Sequence, residues 1–267
     1  MLENLNGATR VQIIVGDPIA QVKSPFGMTE AFEARGKNSI CIPAHVSTAN
    51  LKQWFQGVTH AQNVDGVIVT IPHKFDCYSL CNTHSERATF LKAVNTIRRN
   101  KDGSWHGDML DGLGYVNAIK NKDYQLKGKK AMLIGAGGAG SAIGHGLILG
   151  GVRELAIHDE DTVRRDVMIK KLQSLGMGKV SIGSNNPDGF DVAINASPAG
   201  MKPEDTLPIN LMNINSEMLV GCVITAPSVT KLIEIAKSKG CKTTTGADMF
   251  AEVRQLMIDF LLGTENF

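Results

Sequence analysis

A glycine-rich turn between an apolar strand and a helix constrains the fold of this chain more than any other feature. Residues 131–134 (AMLI) have the composition of a buried parallel strand, and a helical pattern of apolar residues begins at Ala142. Between them, glycines at 135, 137 and 140 match the spacing G-x-G-x-x-G. The motif predicts a dinucleotide-binding turn made of Gly135, Ala136, Gly137, Gly138, Ala139 and Gly140.

Each glycine of the motif has its own physical role. Gly135 permits the tight turn out of the strand, Gly137 lets a pyrophosphate approach the backbone, and Gly140 lets the helix pack closely. The N-terminus of the helix carries free N–H groups and roughly half an elementary positive charge, which suits an anion. An ordinary strand-to-helix turn is the alternative, and the second strand pattern that ends at Asp159 argues against it.

The acidic residues after that second strand bear on the choice of cofactor. Asp159 lies about 20 residues beyond the glycines, where the motif has a carboxylate for the ribose hydroxyls. Together with Glu160 and Asp161 it disfavours a 2′-phosphate by repulsion of like charges, so the sequence predicts NAD rather than NADP. In the alternative, Glu160 and Asp161 are solvated and Arg164 or Arg165 pairs with the phosphate of NADP.

Composition excludes several classes of partner. The 267 residues carry a formal net charge of +2, so neither nucleic acid nor an anionic membrane is an expected partner. No apolar run reaches the roughly 18 residues of a membrane helix, and the N-terminal MLENLNGATR lacks the apolar core of a secretory signal. Five scattered cysteines predict reduced thiols and a cytoplasmic protein. Cys77 and Cys81 have no second ligand pair, so packing is expected there and no metal site.

Alternating strands and helices predict an α/β fold, and the length favours two domains. A helix is predicted to open at Ser24-Pro25, with Ser24 as its N-cap, and on pattern alone capping is the favoured role of Ser24. A strand over residues 65–72 is followed at once by Lys74. Because ligands gather at the carboxyl ends of strands in open α/β sheets, Thr70 and Lys74 are candidate substrate-binding residues. Later patterns predict a strand over 93–97, a helix from about residue 113 and a last helix over 249–262.

The turns of this chain, in their order and spacing, resemble those of the shikimate dehydrogenase family. The matching pieces are SP at 24–25, VTIPHK at 69–74, AVNT at 93–96, DG-x-G at 111–114, GAGGAG at 135–140 and N-A-S-P-x-G-M at 195–201. The resemblance implies an N-terminal α/β substrate-binding domain over residues 1–112 and a doubly wound Rossmann domain over 113–245. It also implies that a C-terminal helix, within 246–267, returns to the first domain.

The resemblance further implies a reversible NAD(P)-linked oxidation of the 3-hydroxyl of shikimate, or of a related cyclic hydroxy acid such as quinate. It implies that Lys74 and Asp111 are the catalytic pair. The implied substrate residues are Ser24 at the carboxylate and Thr70 and Asn95 at ring hydroxyls, and the implied cofactor residues outside the glycine turn are Asn195, Ser197 and Met201.

The chemistry of alcohol oxidation is consistent with a lysine and a carboxylate in these roles. Departure of a hydride from a secondary alcohol requires removal of the hydroxyl proton, and a lysine withdrawn from water is a suitable general base. A neighbouring carboxylate such as Asp111 would orient the ammonium group. The alternative for Lys74 is an ordinary solvated loop lysine.

The substrate pocket of the family is altered at four places in this chain. The departures are Val22 and Lys23 before Ser24 where the family has S-x-S, Met28 and Thr29 for histidine and asparagine, Met109 and Leu110 before Asp111, and Val253 for a glutamine in the last helix. Lys23 either replaces the missing hydroxyl as a charged donor or points to solvent. A substrate polar group buried without a partner costs about 1–3 kcal/mol. These changes predict a differently substituted ring acid as substrate, or weak binding of shikimate.

The sequence is compatible with more than one functional hypothesis. The leading one is an NAD-preferring oxidoreductase of the shikimate/quinate type, because the segment Asp159 to Asp161 differs from the N-R-T of NADP-dependent members that serve aromatic amino acid biosynthesis. The rival is a non-catalytic NAD-binding sensor that kept the fold and lost the pocket. Folate-type dehydrogenases with a similar pair of domains lack the P-H-K and D-G-x-G combination. The expected partner is a small cyclic hydroxy acid, and the sequence leaves open whether the chain forms a homodimer.

Overall fold

The computed structural model of the chain describes residues 5–267, so the first four residues of the N-terminal segment discussed above lie outside the described residues. The chain divides into two compact units, a first unit of Met1–Leu110 with Arg254–Phe267 and a second unit of Asp111–Val253. The domain borders predicted after residue 112 and before residue 246 both fall inside the second unit, near its ends. Within residues 5–267, no helix combines the length and the apolar character needed to cross a membrane.

The first unit is built on a mixed sheet with helices between its strands. Its elements in chain order are β1 (Arg10–Gly16), α1 (Ser24–Ala34), β2 (Ser39–His45), α2 (Leu51–His60), β3 (Val64–Val69), β4 (Thr83–His84), α3 (Glu86–Leu91), β5 (Thr96–Arg99) and β6 (Trp105–Asp108). The strand order is β2-β1-β3-β5-β6-β4. β1 runs parallel to β2 and β3, whereas β5 runs antiparallel to both β3 and β6. The amino end of β5 therefore lies beside the carboxyl ends of β3 and β6.

Two strands of this sheet differ from their predicted bounds. β3 ends at Val69 and not at residue 72, because its pairing with β1 ends at Val15 and its pairing with β5 ends at Thr96, where β5 begins; Pro72 has no N–H with which to extend the ladder further. β5 begins at Thr96 and not at residue 93, since the N–H of Val94 donates to the carbonyl of Lys74 at 2.9 Å. Residues 70–72 and 93–95, which the sequence analysis assigned to strands, therefore lie in loops at the edge of the sheet.

The second unit is built on a fully parallel sheet. Its elements are α4 (Asp111–Lys120), β7 (Lys130–Ile134), α5 (Gly138–Leu149), β8 (Glu154–His158), α6 (Thr162–Gln173), β9 (Lys179–Ile182), β10 (Val192–Asn195), β11 (Leu219–Cys222), α7 (Lys231–Ser238), β12 (Lys242–Thr244) and α8 (Gly246–Leu262), the last of which crosses the border between the units. The order β12-β11-β10-β7-β8-β9 is the doubly wound order, with the reversal between β7 and β10. The predicted α/β fold with a Rossmann sheet is confirmed.

The second sheet is held by apolar side chains, as its parallel geometry requires. Four of the five residues of β7 and all four of β10 are buried. A sheet with both faces covered excludes water from its strands, and this explains why their sequences are nearly continuous apolar runs. One face of the sheet packs on a core of Met132, Ile134, Ala193, Ile209, Val220, Cys222, Leu232, Ile233 and Ala236, among others.

The cysteines of the chain are unpaired, and burial suppresses the reactivity of Cys41 and Cys81. Burial raises the pKa of Cys41 to about 12, against a weaker opposing effect of the backbone at Ile14, and burial raises the pKa of Cys81 to about 12. Both thiols stay protonated at pH 8, where a free thiol is substantially ionised. We expect iodoacetamide to alkylate them on the order of a thousandfold more slowly in the folded protein than in urea. Peptide mass spectrometry over a time course measures this ratio, and equal rates in both states would contradict it.

Candidate active site

The glycine turn of the second unit leaves open space at one position and none at two others. A Cβ atom on Gly140 would lie 2.0 Å from the carbonyl oxygen of Gly135, and Gly135 itself has a φ of +102°. A Cβ atom on Gly137, by contrast, would meet no atom within 4 Å. The N-terminus of α5 follows directly, and the first N–H groups of a helix have no partner within it. The open space and these donors fit the pyrophosphate of a dinucleotide.

Asp159 supports the glycine turn with its carboxylate. It follows β8, is 6% exposed, and accepts the N–H of Ala136 at 2.6 Å and the N–H of Asp161 at 2.9 Å. The guanidinium of Arg164 donates to the same carboxylate at 2.7 Å. Burial alone would raise the pKa of Asp159, but the hydrogen bonds from Arg164, Ala136 and Asp161 outweigh it and lower the pKa. Asp159 therefore carries a negative charge at neutral pH.

The segment after β10 carries the remaining predicted cofactor residues. Asn195 is fully buried, and its amide group donates to the carbonyl of Ala199 at 3.0 Å. Its Oδ1 accepts the N–H of Ser197 at 3.1 Å and the hydroxyl of Ser197 at 2.6 Å. The buried side chain of Asn195 thus fixes the conformation of this loop by its hydrogen bonds to Ser197 and Ala199. Met201, in the same loop, is exposed. Since β10 pairs with β7, the loop lies at the same edge of the sheet as the glycine turn.

The directions of the strands in the first unit bring four loops to one edge of its sheet. β1, β3 and β6 end at this edge and β5 begins there. Ser24 follows β1, Thr70 and Lys74 follow β3, and Asn95 precedes β5. Ser24 and Asn95 are buried, and Thr70 and Lys74 are half-buried. Hydroxyl, ammonium and amide groups are therefore gathered where a polar small molecule can bind.

Hydrogen bonds join these loops to one another. The carbonyl of Lys74 accepts the N–H of Val94 at 2.9 Å, and the side-chain oxygen of Asn95 accepts the N–H of Leu110 at 2.9 Å. The N–H of Asn95 in turn donates to the carbonyl of Asp108 at 2.9 Å. The backbone at Lys74 is consequently fixed relative to Asn95 and to the segment that leads into Asp111.

Loss of the Asn95 side chain should be costly for folding as well as for binding. In Asn95→Ala the N–H of Leu110 would stay buried without its acceptor, and we expect the free energy of unfolding to fall by about 1–3 kcal/mol. Asn82→Ala is the control, because Asn82 is itself exposed and accepts the N–H of Trp105 at 2.8 Å in a bond that is only part-buried, whereas the bond from Leu110 to Asn95 is buried. Denaturant titration measures both. If Asn95→Ala lowered the free energy of unfolding no more than Asn82→Ala does, the structural role of the Asn95 side chain would be contradicted.

Ser24 is not the N-cap of α1, contrary to the prediction. The first helical hydrogen bond runs from the N–H of Gly27 to the carbonyl of Lys23 at 3.1 Å, so Lys23 is the cap residue and Ser24 is the first residue of the helix. Lys23 makes no capping hydrogen bond with its side chain, which is exposed. The capping explanation for Ser24 is thereby removed, and its hydroxyl is buried at the sheet edge.

Asp111 begins α4, two residues earlier than the predicted start of that helix. The residue is buried, and it is followed by Gly112. A Cβ atom on Gly112 would lie 2.0 Å from the carbonyl oxygen of Ala142, and one on Gly146 would lie 2.7 Å from the carbonyl oxygen of Gly112. α4 and α5 therefore contact each other backbone to backbone. This contact fixes Asp111 relative to the helix that starts at the glycine turn.

Most of the positions that depart from the family pattern are occupied by buried side chains, whereas Lys23 is exposed. Met109 and Leu110 are almost fully buried. The hydroxyl of Thr29 donates to the carbonyl of Pro25 at 2.7 Å and accepts the N–H of Cys41 at 2.9 Å, so it joins α1 to β2. Val253 packs on Gly114, where an added Cβ would lie 2.3 Å from Cγ2 of Val253.

Sequence reasoning overlooked Asp108, which anchors the segment that leads to Asp111. Asp108 is buried and accepts two hydrogen bonds from Arg87 at 2.8 Å, one from the hydroxyl of Ser85, and the N–H of Met109 at 2.7 Å. The available sequence signal was an acid directly after Gly107, and the structure places it as the last residue of β6. Its partner Arg87 lies 21 residues away and is not marked by any spacing rule. Among the described residues, no group of three or more His, Cys, Asp or Glu could hold a metal ion.

Comparison with known proteins identifies the family. Residues 14–97 match the model of the shikimate dehydrogenase substrate binding domain. A shikimate dehydrogenase (NADP(+)) of Carboxydothermus hydrogenoformans is 31% identical over an alignment of 253 residues, and the match covers 92% of this chain and 89% of that relative. The structure of shikimate 5-dehydrogenase from Listeria monocytogenes, in complex with shikimate and NAD, has a TM-score of 0.87 at 29% identity, covering 98% of this chain and 94% of that one.

A more distant structure shares the fold. Quinate dehydrogenase from Corynebacterium glutamicum, in complex with NAD, has a TM-score of 0.86 at 23% identity and covers 96% of this chain and 94% of that chain. The relatives above 25% identity thus include a protein named for NADP(+) and a structure in complex with NAD. The family match, the nearly complete coverage and the shared motifs agree, and the chain belongs to the shikimate dehydrogenase family.

Proposed function

We propose that this chain is an NAD-preferring dehydrogenase of the shikimate/quinate type, which moves a hydride between the 3-hydroxyl carbon of a cyclic hydroxy acid and the nicotinamide. The observation that carries the proposal is the set of joined loops with Thr70, Lys74 and Asn95 at one sheet edge of the first unit. The glycine turn of the same chain would bind the dinucleotide that accepts or donates the hydride.

In this proposal, each side chain has a defined task. Lys74 removes the proton of the hydroxyl as the hydride leaves, and Asp111 orients the ammonium group, as in the family that the chain belongs to. Thr70 and Asn95 bind ring hydroxyls, and Ser24 binds the carboxylate. The glycine turn and the N-terminus of α5 would hold the pyrophosphate. A dinucleotide held in this way would supply its nicotinamide ring as the hydride acceptor.

The preference for NAD rests on the charge around Asp159. That carboxylate is ionised at neutral pH, and Glu160 and Asp161 beside it are exposed. A 2′-phosphate would meet this negative charge, whereas the two ribose hydroxyls of NAD would not. The name of the Carboxydothermus relative includes NADP(+), so the cofactor preference of this chain needs its own measurement.

Steady-state kinetics with four combinations test the proposal. Shikimate and quinate are each offered with NAD and with NADP, and the ratio of kcat/KM values is compared. We expect turnover with NAD and a lower kcat/KM with NADP for the same acid. A higher kcat/KM with NADP would contradict the cofactor preference.

A second function is favoured by one specific observation. Met109, Leu110 and Val253 fill with apolar side chains the places where the family has polar groups, as expected for a protein that binds NAD without turning over a substrate. Calorimetry separates the two functions. Binding of NAD without turnover of any cyclic hydroxy acid in a broad panel would favour a sensor, whereas turnover of one ring acid would identify a dehydrogenase with an altered substrate.

A further inference from the structure

The loop after β3 contains a buried histidine that has no task in the proposed mechanism. His73 directly precedes Lys74, and its side chain is fully buried. The Nε2 atom of His73 lies 2.7 Å from the carbonyl oxygen of Val46, the residue that follows β2. Because a carbonyl only accepts hydrogen bonds, Nε2 carries the hydrogen and donates it. The imidazole ring thus joins the loop after β3 to the end of β2.

Filling of space does not account for this imidazole. The second ring nitrogen, Nδ1, is buried and has no hydrogen-bond partner in the part of the chain that the structure describes. A buried polar atom without a partner destabilises the folded state, so an apolar side chain would fill the same space more favourably. What the imidazole adds is the bond from His73 to Val46, and that bond acts on the backbone beside Lys74.

Val46 is itself held by the neighbouring strand. Its N–H donates to the carbonyl of Gly16, the last residue of β1, at 3.2 Å. The N–H of Asp17 in turn donates to the carbonyl of Ile71 at 2.9 Å. β1 runs parallel to both β2 and β3, so these bonds connect the carboxyl ends of three strands. The bond from His73 adds the loop that carries Lys74 to this connected set.

The backbone of His73 also organises its own loop. Its N–H donates to the carbonyl of Thr70 at 3.0 Å, and its carbonyl accepts the N–H of Cys77 at 2.9 Å. Lys74 directly follows the residue that makes both bonds. A shift of His73 therefore moves the backbone from which the ammonium group of Lys74 extends.

We propose that His73 is a positioning residue, which fixes the loop of Thr70 and Lys74 against the end of β2 so that the amine of Lys74 meets the substrate hydroxyl. The inference deepens the proposed function and rests on it, because Lys74 is the base only in that function. Catalysis tolerates little displacement, since a misplacement of about 1 Å can lower a rate by about 10²-fold. Loss of the bond to Val46 would release the loop from β2.

Two amide variants separate the hydrogen bond from the polarity of the side chain. In His73→Gln the amide nitrogen takes the place of Nε2 and can donate to Val46, whereas the side chain of His73→Asn is one methylene shorter and does not reach. Turnover is measured with NAD and with shikimate or quinate, whichever acid the parent oxidises faster. We expect kcat to fall about 10–100-fold in H73N and to stay within about threefold of the parent in H73Q.

Two further measurements show whether the effect is specific. The affinity for NAD, measured by calorimetry, should be unchanged in both variants, because the glycine turn belongs to the second unit. Tyr124→Phe is the matched control, since the hydroxyl of Tyr124 donates to the backbone carbonyl of Asp191 at 2.9 Å in the second unit. Y124F should lower the thermal midpoint and leave kcat within about twofold of the parent.

The accessibility of Lys74 provides a measurement that needs no turnover. Lys74 is half-buried and Lys52, on α2 of the same unit, is exposed. Acetylation with acetic anhydride, followed by peptide mass spectrometry, gives the labelling rate of Lys74 relative to that of Lys52. We expect this ratio to rise several-fold in H73N, where the loop is released, and to stay near the parent value in H73Q.

The outcomes separate this inference from the proposed function. A folded H73N with a kcat within about twofold of the parent, an H73Q as defective as H73N, or an equal fall of kcat in Y124F would overturn the inference while the parent remains an active dehydrogenase. If thermal unfolding shows that H73N does not fold, a folded H73Q decides: a kcat within threefold of the parent supports the inference, and a larger fall overturns it. A parent that oxidises no cyclic hydroxy acid would remove the proposed activity, and a Lys74 labelling ratio unchanged in H73N would overturn the inference independently of activity.

Discussion

Replacement of Lys74 by alanine is expected to lower kcat by about 10²–10⁴-fold, the contribution that a well-placed general base typically makes. Lys74 follows β3 in a loop whose backbone is fixed by the bond from Val94, so the variant should keep the fold of the first unit. The affinity for NAD should be unchanged, because the dinucleotide turn belongs to the second unit. Stopped-flow and steady-state measurements of NADH formation with the best substrate give kcat, and calorimetry gives the affinity.

A matched lysine variant tests whether the effect is specific to the base. Lys52→Ala removes an exposed lysine from α2 of the same unit and should leave kcat within about twofold. Lys74→Arg keeps a positive charge but supplies a group that does not lose its proton near neutral pH, so it should remain as defective as the alanine variant. Activity in Lys74→Ala comparable to that of the parent would remove Lys74 as the base.

Alanine substitutions at two glycines of the same turn are both expected to weaken NAD binding, but only one of them should also lower the stability. In Gly137→Ala the new Cβ meets no protein atom within 4 Å, and the backbone φ of −69° is accessible to alanine. The stability should therefore be nearly unchanged. The methyl group would occupy the space proposed for the pyrophosphate, and we expect the affinity for NAD to fall on the order of 10–100-fold, or about 1.4–2.8 kcal/mol.

In Gly140→Ala the Cβ would lie 2.0 Å from the carbonyl oxygen of Gly135, so the turn or the helix must shift. The free energy of unfolding should fall by about 1–3 kcal/mol or more, together with the affinity for NAD. Gly57→Ala is the control, because its Cβ also enters open space, on a helix far along the chain from the turn. Differential scanning calorimetry and NAD titration measure both quantities. Wild-type affinity in Gly137→Ala would show that no phosphate approaches that position.

The parts of the fold that local patterns control were predicted from the sequence. The glycine turn is one such part. Only glycine fits at Gly135 and Gly140, so the presence of glycine at these positions indicates the backbone conformation directly. Apolar runs such as that of β7 likewise reveal parallel strands that are covered on both faces. The topology of the second sheet follows once these units alternate with helices.

What the sequence did not reveal depends on contacts between distant segments. α1 starts at Ser24 because the N–H of Gly27 donates to the carbonyl of Lys23, and the residue types do not predict this backbone bond. α4 includes Asp111 and Gly112 although glycine disfavours helices, because only glycine permits the contact with the Ala142 carbonyl. The Asp159–Arg164 pair spans five residues across a strand end and a helix start, so helical spacing rules do not predict it.

The contact of α4 with α5 through Gly112 and Gly146 has a consequence for the order of events in turnover. Because the two backbones touch, Asp111 at the start of α4 and the N-terminal end of α5, where we propose that the pyrophosphate binds, are held rigidly relative to each other. The distance from Asp111 to a bound dinucleotide is then set during folding and not at each encounter with a substrate. The entropy of aligning these two groups is lost once in the lifetime of the molecule, and repeated catalytic cycles do not lose it again.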